Sequence, residues 1–389
     1  MTRHLEKWAL ALSLVALAGC GARPQEPTIH GHTLTIYSSL PMHGVSAPAA
    51  RAVWAGERYA LAEAGARAAH RRVRIVRVDS TLPAGRIWDP GLVSANAKRA
   101  AKDPSAVAYL GELDYGGSAV SVPITNDKEI LQVSPGDTLA SLTAIPPGRP
   151  QAGPARYYPT DERSFVRLTA SDLRQADALL AEARDAGAHR LAVVFDGQIY
   201  GRELAAELVA RARKDGPTPV AAKDLHGNAT GMADMAKDLA GEHADAIVYA
   251  GVAGALTSPL LAALASTLPR VPVFASAGVL ARRGALEPAP ARVEALTPVP
   301  PPASLGAGSR RLLRRIARHA GLSSVGDEAL NGYESVRVVL AAVDEAGASR
   351  RAILRSAMKH RHTRYVRTDR FYLYRLDDDG RFRFERELR

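Results

Sequence analysis

Short β-forming runs alternate with helical patterns along most of this 389-residue chain. The run at 106–110 is continuously apolar, which is typical of a parallel strand buried on both faces. Apolar residues at three- and four-residue spacing mark the helices between such runs. This alternation predicts an α/β fold with parallel sheets. The predicted strands are 33–37, 73–79, 106–110, 130–133, 191–195, 245–249 and 271–275, with a C-terminal hairpin of 371–376 and 382–384.

Two proline-rich segments, 145–159 and 288–302, interrupt the alternation. The chain is also too long for one ordinary core. We therefore predict two doubly wound parallel-sheet lobes with a hinged cleft, in which ligands bind at the carboxyl ends of the strands. The predicted division is a signal peptide 1–19, a tether 20–31, lobe 1 from 32–155 and 286–345, lobe 2 from 156–285, and a C-terminal helix and hairpin 346–389 that complete lobe 2.

The N-terminus has the pattern of a secretory leader. Arg3 and Lys7 precede an apolar run at 8–18, which is much shorter than the roughly 20 residues that span a bilayer. Residues 17–20, Leu-Ala-Gly-Cys, resemble a bacterial lipobox. We expect Cys20 to be lipidated and to anchor the mature protein at the outer, extracytoplasmic face of the cell membrane. The alternative is an ordinary secretory signal with an incidental cysteine.

Composition excludes several classes of protein. Hydrophobic residues make up 47% and charged residues 23%, both near globular averages. A formal net charge of +11 is compatible with nucleic-acid binding, but the arginines are scattered and aromatic residues are only 5%. The single cysteine excludes an intrachain disulfide and a cysteine-based zinc site. No P-loop, H-E-x-x-H or G-x-S-x-G motif is present, so we expect no catalytic residues, cofactor, metal or nucleic-acid partner.

Several short segments together resemble the type I periplasmic binding proteins, the extracellular receptors of branched-chain amino acid and amide ABC transporters. Their order and spacing carry the resemblance over nearly all of the mature chain. It implies capture of a small polar ligand, such as an amino acid, an amide or an organic acid, by cleft closure. It also implies an ABC transporter permease as partner. The segments are 36–41, 60–65, 88–91, 109–112, 118–126, 132–135, 164–168, 200–201 and 244–251.

Two glycine-containing loops, 114–118 and 134–138, follow predicted strands and allow the backbone to approach a ligand closely. By resemblance, Thr138 matches the family's ligand-binding threonine and Tyr200 the aromatic residue that closes over the ligand. Tyr115 stands where relatives usually carry a small polar residue, and it fills the pocket. The alternative is that the glycines form plain turns and Tyr200 is a packed aromatic. The candidate ligand-binding residues are Ser39, Leu40, Pro41, Asp114, Tyr115, Gly136, Asp137, Thr138, Tyr200, Tyr249, Gly251 and Ala277.

One departure from the family pattern concerns the loop at 276–279. Amino-acid-binding members usually hold the ligand ammonium with a carboxylate in this loop, but here it reads Ser-Ala-Gly-Val. A buried ammonium without a partner would cost several kcal/mol. Either Asp114 or Asp137 replaces the missing acid, or the ligand has no α-ammonium group. A sensory receptor, an extracytoplasmic enzyme on the same fold and a degenerate, non-binding member remain alternatives.

Overall fold

The computed structural model describes residues 29, 31–84, 88–146, 149–225, 231–280, 292–359 and 363–388. The predicted signal peptide and Cys20 lie outside these residues. Ile29, in the predicted tether, is buried, and its amide donates to the Ala348 carbonyl at 2.8 Å. The end of the tether is therefore packed against the first lobe.

The first sheet has six strands in the order β2-β3-β1-β4-β5-β6. All neighbouring strands are parallel except β2 and β3, which are antiparallel. Side chains alternate between the two faces of β1, so Leu34 and Ile36 enter one core layer and Tyr37 enters the other. The strands are β1 Thr33–Leu40, β2 Arg67–Ala68, β3 Arg71–Asp79, β4 Ala106–Leu110, β5 Leu131–Ser134 and β6 Phe165–Arg167.

The second sheet has seven strands in the order β13-β12-β11-β10-β9-β7-β8. Its first five strands along the chain are parallel, and the C-terminal hairpin adds two antiparallel strands beside β11. The strands are β7 Arg190–Phe195, β8 Thr218–Asp224, β9 Ala246–Ala250, β10 Val273–Ala275, β11 Val293–Thr297, β12 Phe371–Leu376 and β13 Phe382–Leu388.

Helices cover both faces of each sheet, which confirms the predicted α/β fold with two doubly wound lobes. The helices of the first lobe are α1 Ala47–Glu63, α2 Pro90–Lys102, α3 Ser118–Asn126, α9 Ala307–Ala320, α10 Ala329–Ala346 and α11 Arg350–Lys359. Those of the second lobe are α4 Asp172–Asp185, α5 Ile199–Asp215, α6 Met232–Gly241, α7 Thr257–Thr267 and α8 Ala277–Leu280.

Strand pairing places the limits of the lobes later than the proline-rich segments suggested. Strand β6 pairs with β5, so the first sheet continues past residue 155. Strand β11 pairs with β10 and β12, so the second sheet continues past residue 285. Helix α11 packs on α10 in the first lobe, and only the hairpin after it completes the second. Prolines mark where regular structure stops, whereas hydrogen bonding between strands decides lobe membership.

Helices α1 and α10 cross at very short distance in the first lobe. A Cβ atom added at Gly56 would lie 2.0 Å from the Ala329 carbonyl oxygen, and one added at Gly332 would lie 2.1 Å from the Val53 carbonyl oxygen. The crossing therefore requires glycine on both helices. It fixes α10, whose N-terminal end borders the cleft.

We expect Gly56→Ala to lower the free energy of unfolding by about 1–3 kcal/mol, because the added methyl group overpacks the helix crossing. Gly241→Ala is the matched control: it lies at the end of α6 with no heavy atom within 4 Å of the added Cβ. That change should be neutral or stabilising by less than about 1 kcal/mol. Urea unfolding measures both, and an equal effect at the two sites would contradict the tight crossing.

Candidate functional site

A cavity of about 940 Å³ lies between the carboxyl ends of the two sheets. The loops after β4 and β5 contribute from the first lobe, and those after β10 and β11 contribute from the second. The start of α1 and the segment leading into α10 close its sides. The cavity therefore occupies the place where two facing α/β sheets are expected to hold a ligand.

Four of the twelve predicted binding residues line this cavity: Asp114, Tyr115, Gly136 and Ala277. The remaining eight do not. Lining residues that sequence reasoning missed include Ser46, Thr169, Thr297, Pro298, Val299, Pro300, Asp327, Glu328, Asn331 and Arg381. The second proline-rich segment, 288–302, could have pointed to these residues. Its prolines Pro298, Pro300 and Pro302 form part of the cavity wall and do not serve only as a connection between the lobes.

Asp137 holds the first-lobe loops together. Its carboxylate accepts hydrogen bonds from the amides of Gly116 at 3.0 Å, Ser118 at 2.7 Å and Leu139 at 3.0 Å. It is fully buried, and Ser118 is the first residue of α3. The carboxylate thus satisfies free amides at the N-terminus of that helix and ties the loop after β5 to the loop after β4. It faces the backbone of the loops and not the cavity.

A second buried acid, Glu112, lies beneath the same loops. Ser39 Oγ donates to its Oε2 at 2.8 Å and Tyr109 Oη donates to its Oε1 at 2.7 Å. Ser134 Oγ donates to its main-chain oxygen at 2.7 Å. Burial raises the pKa of Glu112 to about 8, so the side chain is largely protonated at neutral pH. The hydroxyl of Ser39, a predicted ligand contact, is engaged by this network.

Leu40 and Pro41, two further predicted contacts, are also buried. Leu40 packs against Ala50 and Val53 of α1. Both residues therefore belong to the framework that carries the cleft.

The two lobes meet through an aromatic stack. Tyr115, in the first-lobe loop, lies over Tyr200, at the start of α5, with ring centroids 4.6 Å apart and planes inclined by 23°. Beside it, a Cβ atom added at Gly116 would lie 3.3 Å from Ile199 Cγ2. Tyr115 packs against the hydrophobic core of the second lobe. Burial raises the pKa of both phenols, so they remain neutral.

Gln175 links Tyr200 to the loop that lacks the family's acid. Its Oε1 accepts from Tyr200 Oη at 3.2 Å and from the Ala277 amide at 2.7 Å. Its Nε2 donates to Asp172 Oδ1 at 3.1 Å. The amide of Ala277 is therefore satisfied within the protein, although the residue borders the cavity.

Thr138 is covered by the N-terminal end of α4. Its carbonyl accepts from the Asp172 amide at 2.9 Å. Burial raises the pKa of Asp172 to about 7, against the opposing effects of the Thr138 hydroxyl and the Arg167 guanidinium. The threonine is nearly inaccessible and lies behind the cavity wall.

The second lobe has its own organising carboxylate. Asp196 accepts from the amides of Gln198 at 3.1 Å and Val252 at 2.8 Å. A Cβ atom added at Gly251 would lie 2.7 Å from the Asp196 Cγ atom, so glycine is required there. Tyr249 packs in the core of this lobe and donates to the Val252 carbonyl at 3.2 Å. Asp196 thus joins the loops after β7 and β9, as Asp137 joins those after β4 and β5.

A further contact between the lobes lies outside the cavity. Arg156, in the segment between β5 and β6, pairs with Glu203 of α5 at 2.8 Å. The arginine is partly exposed, so the pair is a weak contribution to stability. It nevertheless spans the same boundary as the tyrosine stack.

Asp114 carries the charge that lies in the cavity wall at the start of the loop after β4. Its side chain is 8% exposed, and its Oδ2 makes no hydrogen bond within the described part of the chain. Burial raises the pKa of Asp114 to about 6, and the Ser46 hydroxyl partly offsets this effect. Among the lining residues that the structure describes, Asp327, Glu328 and Arg381 are also charged.

A smaller cavity of about 300 Å³ lies at the crossings between the lobes. Two of its arginines are paired, Arg367 with Asp369 and Arg370 with Glu387. Among the residues that the structure describes, no group of three or more His, Cys, Asp or Glu side chains is placed to hold a metal ion. No helix in the same part of the chain has the length and apolar character to cross a membrane.

A family model described as periplasmic binding protein matches residues 33–383. The chain belongs to this family. The match confirms the resemblance to type I periplasmic binding proteins and the expectation of a non-catalytic solute-binding protein. No curated protein matches the chain.

Solved structures share the fold at low sequence identity. An ABC transporter substrate-binding protein from Desulfitobacterium hafniense, in complex with Leu, is 18% identical with a TM-score of 0.67, covering 91% of this chain and 100% of that one. A leucine-binding protein from Thermotoga maritima is 17% identical with a TM-score of 0.67, covering 91% and 98%. A solute-binding protein from R. palustris, in complex with benzoate, is 14% identical with a TM-score of 0.65, covering 90% and 95%.

The protonated state of Glu112 gives a pH-dependent stability. Its pKa is about 8 when folded and near the ordinary 4.5 when unfolded, so between these values the folded state holds a proton that the unfolded state has released. The free energy of unfolding should therefore fall as pH rises from 5 to 8. Glu112→Gln should remove part of this decline, on the order of 3 kcal/mol.

Urea unfolding at pH 5 and pH 8 measures the difference for both proteins. Glu57 is a matched comparison because burial raises its pKa to about 8 as well, with the Ser38 hydroxyl as an opposing effect. Glu57→Gln should remove a separate part of the decline. An unchanged pH dependence in Glu112→Gln would show that Glu112 is ionised in the folded protein.

Proposed function

We propose that this protein captures a small solute in the cavity between its lobes by cleft closure and delivers it to the permease of an ABC transporter. The observation that carries the proposal is the cavity at the carboxyl ends of both sheets, with walls from both lobes. A solute in this cavity contacts both lobes at once only when the lobes are closed. A ligand shifts the equilibrium between open and closed arrangements only if it binds one of them more tightly. Because the cavity walls come from both lobes, the solute binds the closed arrangement more tightly and favours closure.

Family membership supports delivery to a permease. The solved relatives include ABC transporter proteins with leucine and with benzoate, so the fold accommodates both zwitterions and organic acids. The cavity walls of this chain differ from those expected for an amino acid receptor, since residues 276–279 contain no acid.

We also propose that Cys20 carries the lipid anchor and holds the protein at the outer face of the cell membrane. The support is the lipobox-like sequence at 17–20 after a short apolar run. A tether between Cys20 and Ile29 would leave the folded lobes close to the membrane surface.

A ligand panel tests solute capture. We expect at least one class among amino acids, amides, short peptides and organic acids to raise the melting temperature. A ligand at 100 times its dissociation constant adds about 2.7 kcal/mol of stability. Small-angle scattering with the same compound should show a more compact particle. A flat response across all classes would favour a degenerate member that binds nothing tightly.

Cavity-filling variants test the location of the solute. Ala49 lines the cavity on α1, and Ala49→Phe should weaken binding at least about tenfold, or 1.4 kcal/mol, by occupying the space that the solute needs. Ala95, exposed on α2 and absent from the cavity wall, gives the control Ala95→Phe. Titration calorimetry with the compound found in the panel should show loss only for the first. Equal affinities of Ala49→Phe and Ala95→Phe would show that the solute binds outside this cavity.

Cys20→Ser tests the anchor. Without the thiol no diacylglyceryl group can be attached, so the protein should pass from the membrane fraction to the soluble fraction of the cell. Gly21→Ala, next to the attachment site, should leave it with the membranes. Immunoblots of the two fractions give the result, and membrane retention of Cys20→Ser would refute lipidation at this residue.

A further inference from the structure

We propose that helix α9 lies against the anionic phospholipids of the membrane and fixes the orientation of the first lobe. This inference rests on the proposed anchoring at Cys20, because the anchor keeps that lobe beside the membrane. The surface is separate from the solute site, since none of the described residues that line the large cavity belongs to α9. With the first lobe held in this way, the second remains free to open and close.

Helix α9 carries its positive charge on one side. Residues 307–320 contain five arginines and no acidic residue. At about 100° per residue, the arginines occupy an arc of about 140°, and the buried residues Leu312, Ile316 and Ala317 lie outside it. All five arginines are exposed, and they are Arg310, Arg311, Arg314, Arg315 and Arg318.

Contacts inside the protein neutralise little of this charge. Arg315 pairs with Glu63 of α1 at 2.9 Å. The other four arginines make no ion pair with any residue that the structure describes. Each arginine also has another one three or four positions away on the helix, where like charges repel. The helix therefore carries a repulsion that an external anionic surface would relieve.

The predicted tether limits which surfaces can reach the membrane. Ile29 is fixed to the first lobe, because its amide donates to the Ala348 carbonyl and its carbonyl accepts from Arg71, both at 2.8 Å. The residues between Cys20 and Ile29 span at most about 30 Å. The part of the first lobe around Ile29 is therefore held within that distance of the bilayer surface.

Helix α9 lies at the same end of the first lobe. Both α1 and α10 begin at the cavity wall, so both end on the side of the lobe away from the cavity. Ala348 follows the end of α10, and Glu63 is the last residue of α1. The ion pair of Arg315 with Glu63 thus places the basic side of α9 at the end of the lobe where the tether is attached.

An exposed apolar residue accompanies the charges. Leu322, directly after α9, is 51% exposed. A bilayer surface attracts basic side chains through its anionic headgroups and accepts apolar side chains at the boundary with the acyl chains. An acidic protein would also satisfy the arginines, but the membrane is the anionic partner that the tether brings within reach.

Vesicle binding tests this surface. Residues 21–389 contain all described residues of both lobes and lack the lipid anchor, so any binding arises from the surface of the protein. Cosedimentation should show binding to vesicles of equal parts phosphatidylcholine and phosphatidylglycerol, and none to phosphatidylcholine alone. Added sodium chloride should weaken the binding, because it screens exposed charges.

A triple variant tests the helix. Arg311→Gln, Arg314→Gln and Arg318→Gln together remove three exposed charges from α9. Each arginine near an anionic surface strengthens binding about fivefold, so the partition coefficient of this variant should fall roughly a hundredfold. Glutamine is a good helix former, so the melting temperature should not change.

The control variant removes the same charge from the second lobe. Arg174→Gln, Arg202→Gln and Arg213→Gln change exposed positions of α4 and α5. Its net charge equals that of the α9 variant, and it should bind the vesicles like the unmodified chain. Equal losses in the two variants would show that net charge alone attracts the protein and would overturn the role of α9.

The outcomes separate this surface from the anchor. Failure to bind anionic vesicles, or full binding by the α9 variant, overturns the membrane contact. Binding of the chain to polyglutamate but not to vesicles would assign α9 to an acidic protein and overturn it as well. Fractionation of the Cys20→Ser variant tests the anchor alone, so failure of one proposal is distinguishable from failure of the other.

Discussion

The shape of the cleft depends on the loops that line it, and in the first lobe the Asp137 carboxylate holds these loops in place. Three backbone amides converge on it, two of them from the neighbouring loop. That loop carries Asp114 and Tyr115, so one buried acid positions both the charge in the cavity wall and the contact with the second lobe. Loss of Asp137 would leave these amides buried without partners, which is expensive. Asp196 has the equivalent position between two loops of the second lobe.

The fold could be predicted from the sequence where a strand is long and apolar. Strand β4 was predicted residue for residue, because all five side chains are buried and no polar residue interrupts them. Strand β6 has three residues, too few for a periodic signal. Strand β11 lies within a proline-rich segment, and β8 is an edge strand that contains Pro219 and Lys223. Short strands of this kind are stabilised by their partners in the sheet, which a local pattern does not reveal.

The candidate site was predictable as a set of loops but not as a set of side chains. The sequence placed 114–118 and 134–138 at strand ends, and both loops do border the cavity. Which side chains face the solute follows from hydrogen bonds over long sequence distances. Asp137 turns to the amides of the adjacent loop, and Ser39 turns to Glu112 across two strands. Asp114, between them, lies in the cavity wall instead.

The stack of Tyr115 on Tyr200 joins the lobes through side chains of the protein itself. Such a contact favours the closed arrangement whether or not a solute is bound. Less of the binding free energy of the solute is then needed to close the lobes, so the apparent affinity approaches the intrinsic affinity for the closed form. The same contact reduces the contrast between the open and closed arrangements, because it stabilises the closed one before any solute has bound. Affinity and signalling contrast are thus set in opposite directions by one pair of rings.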